Sequence, residues 1–218
     1  METLYLVIPC YNEEQMLPIT AEALMKKMDR LISDGKIASN SKVMFVDDGS
    51  KDKTWEIIQK LHTLNPMFTG LKLSRNKGHQ NALLAGLMTA KSYADILVSM
   101  DADLQDDIDA IDGFLEKRAE GCDIVYGVRS SREKDTAFKR GTAQAYYKLL
   151  AKLGVEITYN HADYRLMSRR AVEALSEFKE VNLFLRGLVP MVGFKSDIVT
   201  YVRTVSYTHL RAHETCAD

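Results

Sequence analysis

Short apolar runs alternate with segments of helical period along the N-terminal part of this chain, and each run ends in a polar or acidic turn. That alternation is the signature of an α/β sheet with helical crossovers. Strands are expected at 4–9, 42–47, 69–73, 95–100 and 123–128, and helices at 13–28, 53–64, 80–93 and 109–120. Asn65-Pro66 stops the second helix, because the residue before a proline is pushed out of the helical region. Further on the chain reads as more helical, with an amphipathic stretch at 138–153, helices near 168–178 and 182–192, and a strand at 196–202. No repeat, low-complexity segment or linker rich in Pro, Gly or Ser divides it.

Ligands of open α/β sheets sit outside the strand C-termini, so the turns after the apolar runs are where chemistry is sought. The fourth run delivers Asp101-Ala102-Asp103-Leu104-Gln105. If the backbone stays extended there, Asp101, Asp103 and Gln105 share a face, and three hard oxygen donors suit Mg²⁺ or Mn²⁺. An acidic cap for the next helix is an equal reading of that segment taken alone. The first run ends in Pro9-Cys10-Tyr11-Asn12-Glu13-Glu14, where Tyr11 could lie against a base and Glu13 could accept from a ribose or base. Asn12 also reads as a helix N-cap, with Glu13 and Glu14 complementing the dipole. The second run ends in Val46-Asp47-Asp48-Gly49-Ser50, whose carboxylates could read the imide N–H of uracil or the donors of guanine. The third brings Arg75 and Lys77 to a helix N-terminus, a natural anion site. His79 reads as a structural hydrogen-bonding residue.

Composition narrows the partners. A net charge of −1 over 218 residues gives no global reason to bind nucleic acid. The three cysteines, Cys10, Cys122 and Cys216, are odd in number and scattered, which suits free thiols in a reducing compartment. No signal-peptide pattern opens the chain, and the longest apolar stretch is broken by Arg186 and Pro190, so the chain itself is expected to be soluble or peripheral.

Taken together, these strand ends resemble those of family 2 glycosyltransferases of the GT-A fold, particularly the polyprenyl-phosphate group. That group includes dolichol-phosphate mannose synthases and bactoprenol glucosyltransferases. Leu73-Ser74-Arg75-Asn76, Gly78-His79-Gln80, Gly127-Val128-Arg129 and Asp163-Tyr164-Arg165-Leu166-Met167 extend the match, which runs nearly to Arg203. The resemblance implies a Rossmann-like, mixed but mostly parallel sheet flanked by helices. It also implies roles: Pro9, Tyr11, Glu13, Val46 and Asp48 for the nucleoside, and Asp101, Asp103 and Gln105 for the metal, with Ala102 against the ribose. Arg129 and Arg140 would receive the acceptor's phosphate, for which guanidinium is the better partner. Asp163 would be catalytic, by positioning or by taking a proton, with Asp103 and Arg129 beside it. Where the family commonly has Gly-Asp-Phe-Arg, this chain reads Ala162-Asp163-Tyr164-Arg165, which keeps both charges.

The implied reaction moves a sugar from a UDP- or GDP-linked donor to a polyprenyl phosphate (undecaprenyl or dolichyl), with inversion. The setting would be the cytoplasmic face of the cell membrane; homo-oligomerisation stays open. A transferase acting on a saccharide hydroxyl shares the nucleotide half, but the basic cluster Arg129, Arg132, Lys139 and Arg140 favours a phosphate acceptor. A sugar-phosphate nucleotidyltransferase would open with a Gly-rich loop, which Cys10-Tyr11-Asn12 lacks. Intact metal ligands argue against an inactive nucleotide-sugar-binding protein. Residues 1–203 are expected to form the catalytic domain. The segment 204–218 has no periodicity and resembles a translated sequencing adapter, so it reads as non-native, against a disordered tail with a metal-binding His pair. On that reading a membrane-proximal region belongs after Arg203.

Overall fold

The computed structural model describes residues 1–130, 161–178 and 185–202. The expected helix at 138–153, the basic residues Arg132, Lys139 and Arg140, and the segment 204–218 lie outside these described residues.

The elements run β1 Leu4–Cys10, α1 Leu17–Ser33, β2 Lys42–Asp47, α2 Thr54–Leu64, β3 Phe68–Lys72, α3 His79–Ala90, β4 Ile96–Ser99, α4 Ala110–Ala119 and β5 Ile124–Arg129. After the break come β6 His161–Ser168, α5 Arg169–Leu175, α6 Leu185–Met191 and β7 Ser196–Tyr201. They form one sheet in the order β3-β2-β1-β4-β6-β5-β7. Every pairing is parallel except those of β6, which runs antiparallel to β4 and β5.

All seven residues of β1 are buried, as expected of a parallel strand covered on both faces. One layer packs Leu24, Met28, Ile58, Phe45 and Phe114 between the sheet and α1, α2 and α4. The other packs Val7, Leu83, Leu87, Val172 and Val189 beneath α3, α5 and α6. The stripe Leu17, Leu24, Met28 and Leu31 seats α1, and each such side chain contributes about 1.5–3 kcal/mol of apolar burial.

Three expectations change. The first helix begins at Leu17, with Pro18 in its first turn, instead of at residue 13. Asn12 is therefore no N-cap: it adopts φ 55° and bridges to the loop after β2. The fourth strand stops at Ser99, and Leu104 has φ 53°, so the backbone turns before Asp101, Asp103 and Gln105 can alternate along one face. Finally, β6 is not among the expected strands; the helix expected near residue 168 is present from Arg169, with the Ser168 hydroxyl capping it by accepting from the Ala171 N–H at 3.3 Å.

Candidate active site

A cavity of about 500 Å³ opens at the C-terminal ends of β1, β2 and β4. Pro9, Cys10, Tyr11 and Glu13 line it from the end of β1, Asp48 from β2, and Asp101, Ala102 and Asp103 from β4. Asn76, Gly78 and His79 enter from the start of α3, Asp163 from β6 and Arg186 from α6. The direction of β6 explains Asp163. Arg165 pairs with Ser99 at the end of β4, so the earlier residues of this antiparallel strand project past the β4 tip.

Two loops hold each other where the ends of β1 and β2 meet the cavity. The Asp48 carboxylate accepts the Lys77 N–H at 2.7 Å and the Gly78 N–H at 2.8 Å. Gly49 sits at φ +69°, and a Cβ there would lie 2.6 Å from the Asn76 nitrogen, so only glycine allows this approach. The Asn12 carboxamide accepts the Lys51 N–H, and the Ser50 hydroxyl accepts the Asn12 N–H. Asp48 thus organises the loop before α3 while facing the cavity.

Around Asp101 the charges are lopsided. The cavity presents the carboxylates of Glu13, Asp48, Asp101, Asp103 and Asp163 against the single guanidinium of Arg186 and the imidazole of His79. Burial raises the Asp101 carboxyl above its ordinary pKa; His79 opposes this, while Asp106, Asp103 and Asp163 add to it. An anionic diphosphate could not settle among these groups without a cation. Asp101 and Asp103 are hard donors at the cavity wall and fit a divalent ion that also takes ligands from a substrate. Among the described residues no three His, Cys, Asp or Glu side chains converge enough to hold an ion alone. Gln105 does not line the cavity; its backbone N–H donates to Asp103 Oδ1 at 3.0 Å, closing the turn that removes it from the expected ligand face.

Asp163 is the most heavily bonded carboxylate here. Its Oδ1 accepts from Arg165 Nη2 at 2.6 Å, and its Oδ2 from Gln80 Nε2 at 3.0 Å and Arg186 Nη2 at 3.2 Å. His79 Nε2 stands 3.9 Å from Oδ2 and 3.5 Å from Asp101 Oδ1. Burial alone would raise the Asp163 carboxyl, but Arg165, Arg186 and His79 outweigh it and hold the group below the usual carboxylate range. Arg165 is wholly buried, and its Nε and Nη1 have no partner among the described residues. Burial lowers its pKa, with Asp163 the largest opposing influence.

Other expected residues fall elsewhere. The Val46 side chain is buried beneath α3, where a Cβ on Gly86 would come within 2.7 Å of it, so the valine reads as packing. Arg129 does not line the cavity; it pairs with buried Asp106 beside it. Arg75 and Lys77 are exposed and also lie outside the lining. The sequence pattern does not single out Arg186, and it leaves His79, which stands between Asp101 and Asp163, as a structural residue. Arg186 breaks the apolar stretch in sequence, and in the structure it reaches Asp163 from the start of α6.

The fold and the clustered strand ends define a GT-A-type transferase domain. The chain belongs to glycosyl transferase family 2, whose sequence pattern matches residues 5–176. It is 54% identical over 200 residues to the uncharacterised glycosyltransferase YkoT of Bacillus subtilis (strain 168), covering 92% of this chain and 59% of that protein. It is 38% identical over 200 residues to the bactoprenol glucosyl transferase of Shigella phage SfX, covering 91% and 63% respectively. The chain therefore spans about three-fifths of these relatives' length. Among solved structures, the mannosyltransferase PcManGT of Pyrobaculum calidifontis, in complex with GDP-Man and Mn²⁺, superposes with a TM-score of 0.59 at 17% identity, covering 92% of this chain and 57% of that one. No helix among the described residues is long and apolar enough to cross a membrane.

Proposed function

We propose that residues 1–203 are the catalytic part of a metal-dependent, inverting glycosyltransferase that moves a sugar from a UDP- or GDP-linked donor to a polyprenyl phosphate. The observation that carries the acceptor is the state of Asp163. A carboxylate saturated by Arg165, Gln80 and Arg186 and held below its usual pKa is a poor general base. A hydroxyl acceptor needs such a base. A phosphate monoester has a second pKa near ~6 and is already largely dianionic at neutral pH, so it needs none. The relative named for bactoprenol supports the same choice.

Pro9, Tyr11, Glu13 and Asp48 would hold the nucleoside, and Asp101 and Asp103 would hold Mg²⁺ or Mn²⁺. When bound, the ion supplies Lewis-acid neutralisation of charge on the departing group. An acceptor phosphate oxygen forms the new bond to the anomeric carbon as the bond to the diphosphate breaks, and no proton needs to leave. Arg129 and Arg140 orient the acceptor's phosphate. Asp163 acts as an anchor, fixing Arg186 and the start of α3 at the cavity wall. A lipid acceptor puts the reaction at a membrane, and a nucleotide-sugar donor favours its cytoplasmic face.

Transfer from radiolabelled UDP- and GDP-sugars to a short-chain polyprenyl phosphate and to free saccharides, with Mn²⁺ or Mg²⁺, tests this reading. Lipid-linked product that needs the metal is expected. Product on saccharides alone would overturn the acceptor while leaving the transferase class intact.

A further inference from the structure

Outside the cavity, three side chains from distant parts of the chain close a ring. The Tyr201 hydroxyl, on edge strand β7, donates to Asp106 Oδ1 at 2.6 Å. Arg129, at the C-terminal end of β5, donates to the same oxygen from Nη2 at 3.1 Å and from Nε at 3.3 Å. Its Nε also lies 3.2 Å from the Tyr201 hydroxyl. Asp106 is buried, and burial together with Asp106 raises the Tyr201 phenol well above its ordinary pKa, so the hydroxyl stays a donor. Next to it the Tyr164 hydroxyl donates to the Asp107 carbonyl at 2.9 Å. Two tyrosines thus pin the loop that leads away from Asp101 and Asp103. The guanidinium of Arg129 is fixed on its Nε and Nη2 side, while Nη1 has no hydrogen-bond partner among the described residues and the side chain is one-third exposed.

We infer that Tyr201 and Asp106 are positioning residues that set the plane of Arg129, presenting its Nη1 edge to the acceptor's phosphate. This rests on the polyprenyl-phosphate reading above. Asp106 already balances the charge of Arg129, so Arg129 acts on the acceptor by directed hydrogen bonds more than by net charge. A preset guanidinium loses little freedom on binding, and disordering it shows as weaker acceptor binding. The ring also ties β7 to the loop after β4.

The test is steady-state kinetics of the full chain with a short-chain polyprenyl phosphate, at saturating nucleotide sugar and metal. Tyr201→Phe keeps the ring that meets Tyr164 edge-on at 5.3 Å and removes only the hydroxyl. The acceptor KM should rise about tenfold, the worth of one hydrogen bond to a charged partner, with the nucleotide-sugar KM and metal-dependent hydrolysis of the sugar nucleotide unchanged. Arg129→Lys should show the same split, because an ammonium cannot hold the ring and present a second edge. Adding Tyr201→Phe to Arg129→Ala should not raise the acceptor KM further. An unchanged acceptor KM in Tyr201→Phe, or additivity in the double variant, overturns the inference alone. Should Tyr201→Phe not fold, a normal acceptor KM in Arg129→Lys overturns it. If the unsubstituted chain transfers only to saccharides, the inference falls together with the acceptor reading.

Discussion

Asp163 and Arg165 stand two residues apart on the same face of β6, and their side chains meet at 2.6 Å with Arg165 wholly buried. The strand alternation that places them together also sends Tyr164 and Leu166 to the opposite core. A buried guanidinium is tolerable only with such a partner, so this pair supports the fold while its outer oxygen faces the cavity.

Asp163 and its exposed partner Arg186 therefore differ in what they contribute to stability. Asp163→Ala leaves the Arg165 cation buried and uncompensated and should cost about 3–5 kcal/mol of stability. Arg186→Ala removes a half-exposed partner of the same carboxylate and should leave stability nearly unchanged. Urea denaturation of both variants checks this; equal midpoint shifts would count against it.

Metal-dependent nucleotide binding should depend on Asp103. Asp103→Ala removes a donor from a turn at the cavity wall, so the fold survives while Mn²⁺-dependent nucleotide binding is lost. Calorimetry with UDP and GDP, with and without Mn²⁺, is the measurement. Retained metal dependence would reduce the acidic run to a helix cap.

Asp48→Asn should weaken nucleotide binding by about 1–3 kcal/mol. Both oxygens of Asp48 accept backbone N–H groups, and an asparagine would turn an NH₂ towards one of them. Equal affinity of both proteins for the preferred nucleotide would exclude the role.

Acid stability should rest in part on Asp123. Its hydrogen bond from Arg170 holds the carboxyl below the ordinary range, against the opposing effect of burial, with Ser168 and Arg118 assisting. A depressed folded-state pKa contributes stability that is full above the unfolded value near ~3.9 and is lost as pH falls through the folded one. Asp123→Asn should therefore be less stable at neutral pH and lose less on acidification. Urea midpoints across the acid range decide it; parallel curves would refute the assignment.

The sequence by itself determined the alternating α/β core and most of the cavity wall. Buried parallel strands are written as unbroken apolar runs, and their following turns carry the polar groups, so Pro9, Tyr11, Glu13, Asp48, Asp101 and Asp103 could be assigned to strand ends without coordinates. What the runs could not show was β6. Its buried face carries Asp163 and Arg165, whose charges cancel only across space, so apolar periodicity is silent there. Tertiary structure alone decided the rest. The turn at Leu104 took Gln105 away from the cavity, close packing with α3 buried Val46, and α6 brought Arg186 to Asp163. The physical reason is that period and turn chemistry act between neighbours in sequence. The pairing of one buried charge with another is settled only when distant segments close on each other, as Tyr201 does on Asp106 and Arg129.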